Sequence, residues 1–187
     1  MIDTLVKLLP KSRERKITAE LACDPGQYVL ATLHRPSNVE DSEVLRRILE
    51  ELGTIAKTRN VVFPVHPRTR KRIQELGIQV AKSVRLIEPL GYLDFLALMS
   101  MAGVVITDSG GVQEETTFLG IPCLTLRENT ERPITIKEGT NRLVRKGHDD
   151  LIQSVEASFR SKPCAPPTIE FWDGRTAERI AQILMKI

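Results

Sequence analysis

From residue 28 onward the apolar positions alternate between two patterns. Short unbroken apolar runs at 28–33, 61–65, 84–87, 104–107 and 122–126 have the length and β-branched content of buried parallel strands. Between them, apolar residues recur three and four apart. The clearest such segment sets Val44, Leu45, Ile48, Leu49, Leu52 and Ile55 on one helical face, with Asp41 or Ser42 placed to cap it. A short helix through Ile73 and Leu76 and helices over 92–101 and 111–119 follow the same rule, and Gly120 suits a left-handed cap on the last. A sixth short strand is expected over 141–144. Asp149 or Asp150 then caps a helix through Phe159, and a linker at 163–167 leads to an amphipathic helix over 176–187. Strand–helix alternation of this kind predicts an α/β fold, a doubly wound parallel sheet covered by helices on both faces.

The first residues read differently. Leu5, Leu8 and Leu9 have helical spacing, Pro10 is expected to stop the pattern, and a charged stretch runs on to Pro25-Gly26.

Open parallel sheets bind ligands beyond the carboxyl ends of their strands. The turns after the first four strands carry His34, His66, Gly91 and Ser109-Gly110-Gly111, so all four are expected on one edge. Two glycines at a helix start let backbone N–H groups approach an anion with no Cβ in the way. The helix dipole would add roughly 0.3–2 kcal/mol for a phosphate there, and each charge-assisted hydrogen bond about 1.5–3 kcal/mol. Ser109 can donate one more, and Glu115, one turn further on, can accept from both hydroxyls of a ribose. The same residues also read as a plain helix start, with Ser109 as cap and Glu114 and Glu115 complementing the dipole.

The neighbouring turns bear on that choice. His34 can donate to phosphate oxygens or carry a proton near neutral pH, and Arg35 can bind phosphate or face solvent. His66-Pro67-Arg68 repeats the arrangement one strand over. Arg132 has a guanidinium fork suited to phosphate, or else pairs internally with Glu128 or Glu131. Phe95 can line a base pocket or pack into the core with Leu96 and Met99, and His148 reads as surface.

Composition narrows the classes. A net charge of +3 with scattered basic residues is too weak for a DNA-binding field, and 4% aromatic content offers little stacking surface for single strands. The densest basic cluster, Arg68 to Arg72, equally suits a solvated helix face. Cys23, Cys123 and Cys164 match neither a zinc site nor a redox pair. Their odd number, with no secretory signal, predicts free thiols in a reducing cytoplasm, Cys123 being a small apolar residue in a buried strand. No apolar run approaches the roughly 18 residues of a membrane span.

Taken together, Thr32-Leu33-His34-Arg35-Pro36-Ser37-Asn38, Val65-His66-Pro67-Arg68-Thr69, Pro89-Leu90-Gly91-Tyr92-Leu93-Asp94-Phe95, Thr107-Asp108-Ser109-Gly110-Gly111-Val112-Gln113-Glu114-Glu115 and Arg127-Glu128-Asn129-Thr130-Glu131-Arg132-Pro133 resemble, in order and spacing, the UDP-N-acetylglucosamine 2-epimerases. Glu138-Gly139-Thr140-Asn141 and Asp173-Gly174-Arg175-Thr176-Ala177 extend the resemblance toward the C-terminus. That family pairs two Rossmann-like lobes, as in GT-B glycosyltransferases, with the active site between them. It inverts C2 of UDP-GlcNAc by eliminating UDP to a glycal and adding it back. The resemblance covers only the C-terminal, UDP-holding lobe, and 187 residues suit one lobe with its linker. It implies an interdomain-type helix and linker over 1–26, a UDP-binding lobe over 27–162, and a linker with a crossover helix over 163–187. It carries His34 over as a catalytic donor to the leaving group. His34, Phe95, Ser109, Gly110, Gly111, Glu115 and Arg132 become UDP-site residues, with Arg35 and His66 as possible additions.

The resemblance implies UDP or UDP-GlcNAc as ligand, no metal or cofactor, and no nucleic-acid or membrane partner. It also implies a cytoplasmic enzyme of cell-envelope polysaccharide synthesis, with a separate N-terminal lobe or a homodimer as partner. This chain departs from it at Pro36-Ser37, where many bacterial members have Arg-Glu, which speaks against activation by the substrate. Leu90 stands where some members carry a polar residue, leaving backbone contacts to the base. The competing readings are a UDP-binding lobe without chemistry, a lobe of a GT-B glycosyltransferase, and an α/β domain with no ligand.

Overall fold

The computed structural model describes residues 1–145, 147–161 and 165–186. Its strands are β1 (Tyr28–Thr32), β2 (Asn60–Pro64), β3 (Val84–Ile87), β4 (Val104–Thr107), β5 (Cys123–Thr125) and β6 (Asn141–Leu143). They form one six-stranded sheet in the order β3-β2-β1-β4-β5-β6, with every pairing parallel. This is the expected doubly wound, Rossmann-like lobe. Side chains alternate across the pleat, so each strand feeds two cores. Val29, Ala31, Val61, Phe63, Val104 and Ile106 face one, while Tyr28, Leu30, Val62 and Val105 face the other.

Helices close both faces. On the first, α4 (Ser42–Ile55) buries the stripe from Val44 to Ile55, and α9 (Leu151–Arg160) packs beside it. Asp41 caps α4 by accepting from the N–H groups of Glu43 and Val44 at 3.0 and 3.2 Å, and Asp150 caps α9 through Gln153 at 2.9 Å. On the second face lie α1 (Ile2–Ser12), α6 (Tyr92–Ser100) and α7 (Gly110–Leu119). Gly120 ends α7 with a φ of 72°, the left-handed conformation that glycine tolerates.

Some elements depart from expectation. Pro10 does not stop the first helix: α1 runs through it to Ser12, and the N–H of Arg13 still reaches the carbonyl of Leu9 at 3.2 Å. A proline forfeits one helical hydrogen bond, but burial of Leu5, with Leu8 and Leu9 against the second core, holds the helix in place. Single-turn helices also appear where turns or charged chain were expected: α2 (Ile17–Glu20), α3 (Pro36–Val39) and α8 (Ile134–Lys137). The final helix, α10 (Thr176–Leu184), starts as expected. Part of the expected 163–167 linker, Cys164 and Ile187 lie outside the described residues. Among the described residues, no helix is long and apolar enough to cross a membrane.

The strand order reverses between β1 and β4, opening a crevice at their carboxyl ends. Thr32 lies opposite Thr107, so the chain continues into His34 and Ser109 side by side at that crevice.

Candidate functional site

The crevice is built around a buried carboxylate. Asp108, fully buried after β4, accepts from the N–H groups of His34 and Arg35, at 3.1 and 2.9 Å, and from the Asn38 amide at 3.1 Å. His34 Nδ1 also lies 2.9 Å from its Oδ1. Burial alone would push the Asp108 carboxyl up. The donors from His34, Arg35 and Asn38 outweigh it and hold the group below the usual carboxylate value. Asn38 further donates to the carbonyl of Leu126 at 3.0 Å, joining the turns after β1, β4 and β5. The single turn of α3 is what turns Asn38 inward. With Nδ1 against Asp108, the His34 side chain remains 43% exposed.

Beside it, α7 opens at Ser109. The Ser109 hydroxyl makes no cap bond to the helix, while its backbone N–H donates to Thr107 Oγ1 at 3.0 Å. Ser109 thus holds the N-cap position without a side-chain cap bond. A Cβ at Gly110 would meet nothing within 4 Å, so the space over the first turn is open. A Cβ at Gly111 would sit 2.7 Å from the Met1 side chain, so this glycine admits the start of α1.

Glu115 is buried, and its Oε1 accepts from the Tyr92 hydroxyl at 2.8 Å. Burial pushes its carboxyl above the usual value, against the Tyr92 hydrogen bond, which lowers it. The same contact, after the larger effect of burial, raises the Tyr92 phenol. This bond ties α7 to α6 and places Phe95, partly buried against the second core, one turn along from Tyr92. Phe95 thus meets the expected core packing while standing on the helix that flanks the crevice.

Arg132 reaches α7 as well, with Nε 3.1 Å from Glu114 Oε1. Arg132 also donates from Nη1 to the backbone carbonyl of Glu131 at 3.2 Å, so the expected contact with Glu131 is met through the backbone. The Glu131 carboxylate meets Arg127 at 2.9 Å and Arg35 at 3.8 Å. His66 stands apart in role: its Nδ1 accepts from the Arg68 N–H at 3.2 Å and caps α5 (Pro67–Glu75). Arg68 pairs with Glu40, and Arg70 with Glu88 at 2.9 Å, so the basic cluster is internally compensated.

The structure therefore gathers His34, Ser109, Gly110, Gly111, Glu115 and Arg132 around one helix start. It adds Asp108, Asn38 and Tyr92, which sequence reasoning did not single out. Asp108 stood inside the quoted turn, but nothing in its neighbours along the chain marks a carboxylate that takes donors from 70 or more residues away. Cys23 and Cys123 are buried free thiols, and burial pushes Cys123 up to about 11, so it is no nucleophile.

Fold and site together define a Rossmann-like lobe with an open helix start at its topological switch point. The chain belongs to the UDP-N-acetylglucosamine 2-epimerase family, whose description matches residues 1–185. It is 42% identical over 163 residues to the UDP-N-acetylglucosamine 2-epimerase of Methanocaldococcus jannaschii, covering 84% of this chain and 44% of that protein. It is 39% identical to the UDP-2,3-diacetamido-2,3-dideoxy-D-glucuronate 2-epimerase of Pseudomonas aeruginosa, covering 89% and 46%. The solved M. jannaschii UDP-GlcNAc 2-epimerase, in complex with UDP-GlcNAc and UDP, superimposes with a TM-score of 0.87 at 37% identity over all of this chain and 53% of that one. The Neisseria meningitidis enzyme bound to UDP-GlcNAc gives 0.77 at 31%, over all of this chain and 53% of its own. The chain thus spans about half the length of the relatives it matches.

Proposed function

We propose that this chain is the UDP-holding half of a UDP-N-acetylglucosamine 2-epimerase, turning over UDP-GlcNAc to UDP-ManNAc only with a second lobe across the crevice. The observation that carries the reading is the open helix start at Gly110 with His34 held beside it by buried Asp108. In this reading the pyrophosphate rests on the N–H groups of the α7 start and on the Ser109 hydroxyl, with Arg132 closing on it. Glu115 takes the ribose hydroxyls, and Phe95 flanks the uracil. As the C1–O bond breaks, charge grows on the pyrophosphate, and fixed donors on this edge stabilise it where it develops. His34, doubly protonated with its Nδ1–H toward Asp108, gives the Nε2 proton to that oxygen and takes it back on re-addition. Loss of the C2 proton completes the glycal, and return of a proton to the opposite face precedes re-addition of UDP. Both C2 transfers fall to the second lobe.

A further observation fits a second lobe. On α10, Ile180, Ile183 and Leu184 are 53%, 61% and 65% exposed, an apolar stripe suited to the second lobe. The buried free thiols of Cys23 and Cys123 fit a reducing cytoplasm.

Calorimetric titration with UDP tests the reading, and we expect saturable binding by the chain alone. No heat at millimolar UDP overturns it. Adding a separately expressed N-terminal lobe is expected to restore conversion of UDP-GlcNAc. Binding without conversion in the mixture would leave a nucleotide-binding lobe without chemistry. The relation to the P. aeruginosa uronate epimerase makes that sugar the control substrate.

A further inference from the structure

A buried polar relay stands behind the helix start. Gln113, fully buried in the first turn of α7, uses its Oε1 twice, accepting from Thr130 Oγ1 at 2.6 Å and from Asn141 Nδ2 at 3.2 Å. Thr130 Oγ1 in turn accepts from the backbone N–H of Arg132 at 2.9 Å. On the other side, Asn141 Nδ2 donates to Thr135 Oγ1 at 3.1 Å, and that hydroxyl donates to the backbone carbonyl of Arg132 at 2.7 Å. Both ends of residue 132 are therefore gripped by a threonine, and both threonines are gripped by an amide side chain. Asn141 is itself fixed by Thr125 Oγ1 at 2.6 Å, at the end of β5.

The relay leaves one buried group unpaired. Gln113 Nε2 is buried with no hydrogen-bond partner. An orphaned donor costs about 1–3 kcal/mol, set here against the two donors, from Thr130 and Asn141, that the side-chain oxygen satisfies. What glutamine supplies is a doubly accepting oxygen four residues past Ser109, on the helix that carries the anion-binding turn.

We propose that Gln113 is a positioning residue for nucleotide binding: through Thr130 and Asn141 it fixes the backbone of Arg132 relative to the start of α7. The proposal rests on the reading of this crevice as a UDP site. Glu114 Oε1 lies 3.1 Å from Arg132 Nε, which sets the guanidinium beside the same helix. A fork pre-placed over a phosphate loses little rotamer entropy on binding. Without the relay, the loop between β5 and α8 keeps its chain length but loses its register against α7.

The test pairs two measurements on the chain as it stands. Hydrogen exchange of the Arg132 amide, read by NMR without nucleotide, reports the grip itself. Gln113→Met and Thr130→Val are expected to speed it by roughly tenfold or more while leaving the core amides of β1 and β4 protected. Thr130→Ser, which keeps the hydroxyl, is expected to retain the wild-type rate. UDP affinity then reports the consequence. Gln113→Met and Thr130→Val are each expected to weaken UDP by about five- to tenfold, and by less than about twofold in an Arg132→Ala background. Unchanged Arg132 exchange in both variants overturns the proposal. So does a full, additive loss of UDP affinity in the Arg132→Ala background. Failure of the wild-type chain to bind UDP would overturn the functional reading, while the exchange arm still decides the grip.

Discussion

Two buried carboxylates frame the crevice and behave oppositely. Asp108 is held below its ordinary value, so its charge contributes stability that is fully present above 3.8 and lost as pH falls through the lower folded value. Asp108→Asn is expected to destabilise the chain by about 2–4 kcal/mol at neutral pH, because the amide turns a donor toward other donors. The variant should also lose that share of the acid-limb pH dependence, measured by urea midpoints against pH. Glu115 is held above its ordinary value, chiefly by burial. Its contribution therefore has the other sign: stability is greatest below 4.5 and is lost as pH rises through the raised value. Glu115→Gln should be more stable than wild type at neutral pH, equal to it in acid, and poorer at binding UDP. A loss of one charge-assisted acceptor pair, about 1.5–3 kcal/mol, corresponds to roughly ten- to hundredfold in Kd. Equal loss of stability and affinity would mean that Glu115 serves the helix dipole and not a ribose.

At the scale of elements, α7 is a helix whose start is left open. Gly110 has open space where a side chain would stand. Gly110→Ala is therefore expected to leave stability unchanged or raise it by up to about 1 kcal/mol, since alanine loses less backbone entropy. UDP affinity should nevertheless fall, because the methyl group occupies the phosphate's approach. Thermal melts and titration of one variant separate the two effects. The strands, α4 with its Asp41 cap and the Gly120 stop were legible in the sequence, because period, capping and left-handed glycine are local physics. The single turns α2, α3 and α8 were not, since four-residue helices bury too little to show a period. Pro10 misled for a different reason: the rule that prolines end helices is local, and the packing of Leu5 that overrides it is not. The site divides likewise. His34, Ser109 to Gly111, Glu115 and Arg132 follow from turns at strand ends. The hub at Asp108, the bond from Tyr92 to Glu115 and the Gln113 relay join segments 16 to 74 residues apart.

For the whole molecule, the ends of the chain matter as much as its middle. Asp3 accepts from the Ala177 N–H at 3.0 Å, so the first helix caps the last, and this bond leads in holding the Asp3 carboxyl low. Gly174, at a φ of 79°, brings the approach to α10 against Val6. Both contacts fix α10 to α1, and α1 begins at the crevice. A lobe seated across the crevice would thus meet the helix start of α7, the N-terminal end of α1 and the apolar stripe of α10 as one surface. Asp3→Ala should uncouple them. We expect faster amide exchange throughout α10 and weaker association with a separately expressed N-terminal lobe, with UDP binding by the isolated chain unaltered, because the cap bond from Asp3 goes to α10. Ile183→Glu should weaken lobe association without touching exchange in α10, since it charges the stripe and leaves the cap intact. If both variants associate as wild type does, the stripe faces solvent and the second lobe meets this one at the crevice alone. If Ile183→Glu also weakens UDP, α10 reaches the nucleotide, and the division into a binding half and a docking helix fails.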